Sequence, residues 1–454
     1  MLSEKYDSRK VFMMSVPIFI ELLLQMLVGN VDQIMLSQFS QNSVAAIGNG
    51  NQIMNLIIIV LNMTSVGITI MISQYIGAKD EHKVSEVCNV SLAVMGFFSV
   101  ALTVVLFLFY KPVFQLLSIP EEIFNEAASY LLIVGSFILV QGLYLTFSAI
   151  LRSYALMKQV MTISVVMNVL NIIGNAMLIN GYFFFPRLGI VGAAISTNFS
   201  KLIGLVLVFM LFRFRGYAEL KLSYLKPFPV ETCKKLLYIS LPSGAEALSY
   251  NLSQTIIMKF INMMGTAVIA TKVYCSMMAN VAYIYSMAIA QATQIIIGYL
   301  VGAGRLNEVG RKVWNCVFIS IAVSVGLTGI IYFNSDLIFG IFTNDPQILA
   351  LSKQIVFVEF ALEVGRSVNI AMTRTLVATY DVNVPVIAGV LSAWGIAVGV
   401  GYLLGVQWGW GLVGIWIAMA ADELIRAGVF ILRFISGVWR QKVSRALPQT
   451  AESK

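Results

Sequence analysis

Long apolar runs separated by short polar segments recur along the whole chain. The first, residues 11–37, exceeds the roughly 20 mostly apolar residues that cross a bilayer, yet it contains Pro17, Glu21 and Asp32. Eleven further runs lie at about 44–76, 87–110, 124–150, 159–181, 188–212, 236–262, 267–300, 313–334, 348–378, 385–405 and 410–434. The pattern predicts an all-α membrane protein of twelve transmembrane helices. The longest hydrophilic stretch, 213–235, carries Arg213, Arg215, Lys221, Lys226, Lys234 and Lys235 and parts six runs from six. The expected organisation is therefore a first lobe at 1–212, a cytoplasmic linker at 213–235, and a second lobe with a short cytoplasmic tail at 236–454.

The two sets of six runs repeat one another. Pro17 and Glu21 are answered 225 residues later by Pro242 and Glu246. Gly77-Ala78 in QYIGAKD is answered by Gly302-Ala303 in YLVGAGR, and Phe114 by Phe339, at the same offset. Gly189 and Gly192 in LGIVGAAI are answered by Gly411 and Gly414 in WGLVGIWI. With six spans per half, both halves enter the membrane from the same side. The repeat is then parallel, about an axis along the membrane normal, and a cleft between the lobes is the expected transport site.

Composition narrows the class. The chain of 454 residues is 59% hydrophobic and 11% charged, against about 25% charge in soluble domains. The net charge of +8 is explained by loop placement and calls for no nucleic-acid partner. With the N-terminus inside, twenty-two Lys and Arg fall in cytoplasmic segments and three (Lys111, Arg187 and Lys353) fall outside. Such an excess orients membrane proteins, so both termini and the linker are expected in the cytoplasm of a plasma-membrane, multi-pass protein. The charged N-terminal segment is not read as a cleavable signal. Four scattered Cys and a single His in a charged loop support neither a disulfide framework nor a metal cluster. The chain lacks a phosphate-binding loop, zinc spacing, nucleophile elbow or dinucleotide fingerprint. The expected protein is not an enzyme, needs no cofactor and draws on an ion gradient.

The ordered motifs resemble the multidrug and toxic compound extrusion (MATE) family over nearly the whole length. They are Pro17 with Asp32, QYIGAKD, NIIGN, LGIVGAAIST, LP in the seventh span, YLVGAGR, EVGRSVN and GLVGIWIA. The resemblance implies two six-helix lobes that export organic cations in exchange for Na⁺ or H⁺, with membrane lipids around a monomer. A lipid-linked oligosaccharide flippase of the same superfamily is the alternative. Anionic phosphates would call for several basic residues facing the cavity, and the first lobe's spans hold only Lys201.

Two constellations carry candidate chemistry. Asn168, Asn171 and Asn175 share one helix face by their spacing. Asp32, Asn171, Asn175 and Thr197 offer one carboxylate, two amide carbonyls and one hydroxyl, which suits a hard cation or a carboxylate that takes a proton. The resemblance assigns the family's first-lobe cation site to these four positions, with Asn175 where some members carry Asp. For Asn168 a bond between helices is the simpler role. In the tenth span Glu359, Glu363, Arg366 and Asn369 form one polar stripe. Glu363 pairs with Arg366 by spacing, as a structural bridge or a transport group, whereas Glu359 is expected without a partner in its helix and so free to titrate. Glu246, a turn before Tyr250, and Asp381, in LVATYDVNVP, complete the second-lobe candidates. Asp422, Glu423 and Arg426 read as a structural network. Pro17 removes a backbone donor and lets the first helix bend.

Orientation is directly testable. Reporter fusions in 213–235 and at the C-terminus are expected to read cytoplasmic; an external reading at either site overturns the charge count.

Overall fold

Helix is the only regular structure among the described residues, as lipid demands, because each backbone donor and acceptor must be satisfied within the segment. The computed structural model describes residues 8–37, 40–117, 119–181 and 186–446, without the side chains of Ser8, Arg9, Asn30, Asp32, Gln33 and Gln41. In order the helices of the first half are α1 (Ser8–Ser37), α2 (Gln41–Gly77), α3 (Glu81–Leu116), α4 (Glu121–Gly135), α5 (Ile138–Ser153), α6 (Met157–Asn180) and α7 (Gly189–Arg215). Those of the second are α8 (Val230–Asn262), α9 (Thr266–Gly302), α10 (Leu306–Phe333), the short α11 (Ser335–Gly340), α12 (Pro346–Ala378), α13 (Asn383–Ser392) and α14 (Gly411–Ile435), followed by the short α15 (Val438–Ala446). π-Helical turns at Ala393–Val400 and Leu403–Gln407 extend α13.

These helices make the twelve expected spans. The fourth, read from sequence as one run, is the pair α4–α5, bent by 45° between them. Eight helices, or nine with that pair counted as one span, are apolar and long enough to cross a membrane by composition alone. α8, α12 and α14 are not among them. α8 is rich in Ser, Asn and Gln, and α12 and α14 carry the acids and arginines that meet inside the second half.

The chain forms two compact units: Ile20–Leu241, and Met1–Phe19 with Pro242–Lys454. Each division falls inside a long helix beside its proline, Pro17 in α1 and Pro242 in α8. In the first unit α2 packs on α3, α4 and α5, and α7 on α4, α5 and α6. The start of α8 belongs to this unit: Leu236 and Ser240 crowd Gly67 of α2, and Thr232 donates to Glu86 of α3. In the second unit α12 packs against α9, α10 and α14.

The stretch expected as a linker is shorter than its charge suggested. α7 runs to Arg215 and α8 begins at Val230, because a helix continues past the membrane into water where hydropathy no longer marks it. What lies between is fastened to the first unit. Asn89 donates to the Glu219 carbonyl at 2.7 Å and accepts from the Lys221 amide at 3.2 Å, and the Glu219 amide reaches Ser85 Oγ at 3.1 Å. Tyr154 stacks on Tyr217 at 4.3 Å and donates to its carbonyl. Burial pushes the Tyr154 phenol well above its ordinary value, so it remains a donor.

The sequence repeat is also a backbone repeat. Left-handed residues follow the second and eighth spans at Lys79 and Gly304, the fourth and tenth at Ala155 and Tyr380, and open the sixth and twelfth at Gly189 and Gly411. Phe114 and Phe339 are both fully buried. Gly192 and Gly414 each let one helix touch the backbone of its neighbour: a Cβ would lie 2.5 Å from the Leu178 carbonyl oxygen at the first and 2.8 Å from the Leu404 carbonyl carbon at the second.

Overpacking of this kind costs about 1–3 kcal/mol. Gly192→Ala is therefore expected to lower the thermal midpoint of the purified protein, while Gly96→Ala, which has open space, leaves it unchanged or slightly raised. Equal midpoints for the two variants would show that the α6–α7 approach is not tight.

Candidate functional site

In the first unit the polar set is built on the α6–α7 pair. Bare backbone at Gly174 leaves room for Ser196, whose Oγ donates to the Asn171 carbonyl at 2.9 Å. The amide of Asn171 then reaches Thr197 Oγ1 at 3.3 Å, and Asn175 Nδ2 lies 3.5 Å from Asn171 Oδ1. Asn171 and Asn175 are buried. Three of the four residues assigned by resemblance to the first-lobe site are thus adjacent, and they present oxygen and amide groups only. The fourth, Asp32, sits on α1, and its side chain lies outside the described residues. Asn168, one turn from Asn171, is half-buried, and its Nδ2 has no partner among the described residues.

The same unit contains an ion pair that sequence reading missed. Glu21, the acid one turn after Pro17, is buried and accepts from Arg152 at the end of α5 at 2.7 Å. The two are 131 residues apart, and no local spacing links them.

The second unit is organised by two arginines. Arg366 donates to Glu363 and, at 3.2 Å, to Glu359 Oε1. Trp416 of α14 donates its indole N–H to Glu359 Oε2. Glu359 is therefore not the free acid expected from sequence: a long arginine side chain reaches back two helical turns, and a tryptophan closes the other oxygen. On α14, Arg426 bridges Asp422 at 2.7 Å and Glu423 at 2.8 Å. Ser392 caps Asp422, and Asn369 donates to the carbonyl and the carboxylate of Glu423 at 2.7 and 2.6 Å. Gly365 permits the contact, since a Cβ there would sit 2.7 Å from the Glu423 backbone. A small pocket between α9, α10 and α12 has Glu359 as its one charged wall residue, beside Cys275, Met278 and Thr328.

Asp381 lies in the turn after α12. Arg433 holds it with two bonds, 2.6 and 3.2 Å, and so ties that turn to α14. Glu246 differs from the rest. It leans on α13, with Oε1 3.2 Å from where a Cβ on Gly389 would be, and it has no hydrogen bond or ion pair among the described residues. Of the second-unit acids named from sequence, Glu359, Glu363 and Asp381 are neutralised by arginine and Glu246 is not.

Known proteins extend this picture. A family model described as MatE matches residues 17–177 and 242–403, one match per half, starting at Pro17 and at Pro242. The chain is 39% identical to the uncharacterized transporter YisQ of Bacillus subtilis over 95% of each chain. It is 25% identical to a probable multidrug resistance protein NorM of Thermotoga maritima, over 96% of this chain and 93% of that one. Among solved structures, a MATE protein in the bent conformation superposes with a TM-score of 0.88 at 19% identity over 96% of each chain. The Vibrio cholerae transporter VcmN in its bent form gives 0.87 at 19% identity, over 96% of this chain and 97% of that one. The chain belongs to the MATE family of multi-pass membrane transporters.

Proposed function

We propose that this protein exports organic cations, drugs among them, across the plasma membrane in exchange for Na⁺ or H⁺, with Asp32 as the coupling carboxylate. The observation that carries this reading is the contact of Asn171 with Thr197 and Asn175, which gathers three of the site's four residues across α6 and α7. A carboxylate on the first span of such a unit costs about 2.5–3.5 kcal/mol to insert unless it faces a partner or a cavity. A bound cation or proton removes the charge. The second unit's Glu359, Glu363, Asp422 and Glu423 serve as counter-ions of Arg366 and Arg426, which leaves Glu246 as that unit's own candidate for a cation. Coupling requires the ion to prefer one conformation, because a ligand that binds both equally shifts nothing. Pro17 supplies the place where α1 changes shape: MATE structures are known in bent and in straight conformations.

Asp32→Asn keeps the shape and deletes the titratable charge. It is expected to abolish gradient-driven efflux of a cationic dye from proteoliposomes, while the purified variant still binds the dye. Asn171→Ala and Thr197→Ala should reduce efflux less, each removing one neutral oxygen. Wild-type efflux by Asp32→Asn under the same gradient refutes the site and moves attention to Glu246.

Pro17→Ala restores a backbone donor in α1. Turnover is expected to fall severalfold at unchanged expression and thermal midpoint. Normal turnover in a well-folded Pro17→Ala protein removes the bend from the mechanism.

A further inference from the structure

Lys201 stands near the middle of α7 (Gly189–Arg215), with about 18 Å of helix before it and about 21 Å after it at 1.5 Å per residue. An ammonium at that depth is costly in lipid and is found facing a bundle interior or a water-filled cavity. The periodicity of α7 places it inward. Ile195, Phe199, Leu202, Val206 and Phe209 form the exposed, lipid-facing stripe. Lys201 falls on the opposite side, one turn from Thr197 and in line with Gly204, Val208 and Phe212. The last two are fully buried, and Gly204 packs on Met167 and Tyr144.

The register of the antiparallel α6–α7 pair sets its level. Gly192 meets Leu178, Ser196 meets Gly174, Thr197 meets Asn171 and Gly204 meets Met167. Lys201 is therefore level with Asn168, one turn from the Asn171–Thr197 contact. The groups turned toward this stretch of α7 are few. α6 contributes the amides of Asn168, Asn171 and Asn175, and α5 contributes the phenol of Tyr144 at Gly204. α4 contributes a backbone carbonyl, Ile133, which Asn198 binds at 2.6 Å. Among the described residues, no carboxylate bonds Lys201.

We propose that Lys201 is a resident cation of the first unit, whose ammonium takes the place an alkali ion would occupy and makes the exchange proton-driven. This rests on the exporter reading and names its coupling ion. The Cβ atoms of residues at i and i+4 lie about 5–6 Å apart. An ammonium held at about that separation from the Thr197 hydroxyl would weaken sodium binding there by on the order of 100-fold at an effective dielectric of about 20. A proton taken up by a carboxylate meets no such obstacle, because it cancels charge in place and needs no shell of oxygens. The ammonium carries three rotatable donors, of a kind that amide carbonyls at this level of α6 can accept in place of ligating an ion. The three neutral groups of the site are the kind of donors that accept either partner, so the lysine decides between them.

The test uses the purified full-length protein and its variants, titrated with NaCl against choline chloride at constant ionic strength, with thermal midpoint as the readout. Wild type and Lys201→Arg are expected to show no sodium-specific shift. Lys201→Met, and Lys201→Gln as a second neutral variant, are expected to gain a saturable one, with sodium affinity raised about 100-fold. A saturable sodium shift in wild type overturns the proposal, as does indifference to sodium in folded Lys201→Met or Lys201→Gln. If neither neutral variant folds, the wild-type titration decides. In parallel, wild-type proteoliposomes are loaded with a cationic dye and given either a pH gradient or a sodium gradient at fixed pH. Efflux driven by the pH gradient alone supports the proposal. Efflux driven by sodium overturns it and leaves the exporter reading intact. Absence of dye movement under both gradients refutes the exporter reading, and the sodium titration still judges the site.

Discussion

A charge buried in a bilayer must be neutralised by its neighbours or put to use, and most of the internal architecture of this protein follows from that cost. In the second unit the cost is met by pairing. Arg366 and Arg426 each gather two carboxylates, and Trp416, Ser392 and Asn369 fill the remaining oxygens of Glu359, Asp422 and Glu423. Replacing one member of such a network leaves an uncompensated charge, at a cost of about 3–5 kcal/mol. The same network explains why α12 and α14 carry more charge than a lipid-facing span tolerates: their charged side chains meet each other rather than lipid.

The first unit handles charge differently. Glu21 and Arg152 cancel each other one turn from Pro17 of α1, and Asn171, Asn175 and Thr197 form a neutral cluster across α6 and α7. Lys201 is the inward-facing positive charge beside that cluster. The two halves thus share a helix plan and diverge in electrostatics, one a set of compensated ion pairs, the other a neutral polar cluster with a lysine and an acid, Asp32, on its helices.

The shared plan is carried by backbone more than by side chains. Left-handed turns recur at Lys79 and Gly304 and at Ala155 and Tyr380, although only one of these four is glycine. A non-glycine residue in that region is uncommon and is held there by its surroundings. In both halves the turn directly reverses the chain between two long helices, so the geometry persists where the residue type does not. Close approach at Gly192 and Gly414 is the converse case. There a Cβ would strike a neighbouring backbone, and both positions are glycine.

Much of this was legible in the residues alone. Twelve spans, the two-fold repeat and the shared face of Asn171 and Asn175 follow from hydropathy, from fixed offsets and from helical spacing, all of which are local or periodic properties of the chain, while the family and the place of Thr197 beside the asparagines came from the resemblance of ordered motifs. The pairing of Glu363 with Arg366 belongs to the same class, since it lies within one helix turn. The neutralisation of Glu359 and Asp381 and the Glu21–Arg152 bond do not. They join residues through space, by a tryptophan from another helix, by an arginine 52 positions away and by one 131 positions away, and periodicity holds no record of such partners. The bend between α4 and α5 and the true ends of α7 and α8 were equally hidden, because apolar content measures what tolerates lipid and not where a helix turns or how far it continues into water. Which acids are spoken for, and which remain available to an ion, is a property of packing, and only the folded chain decides it.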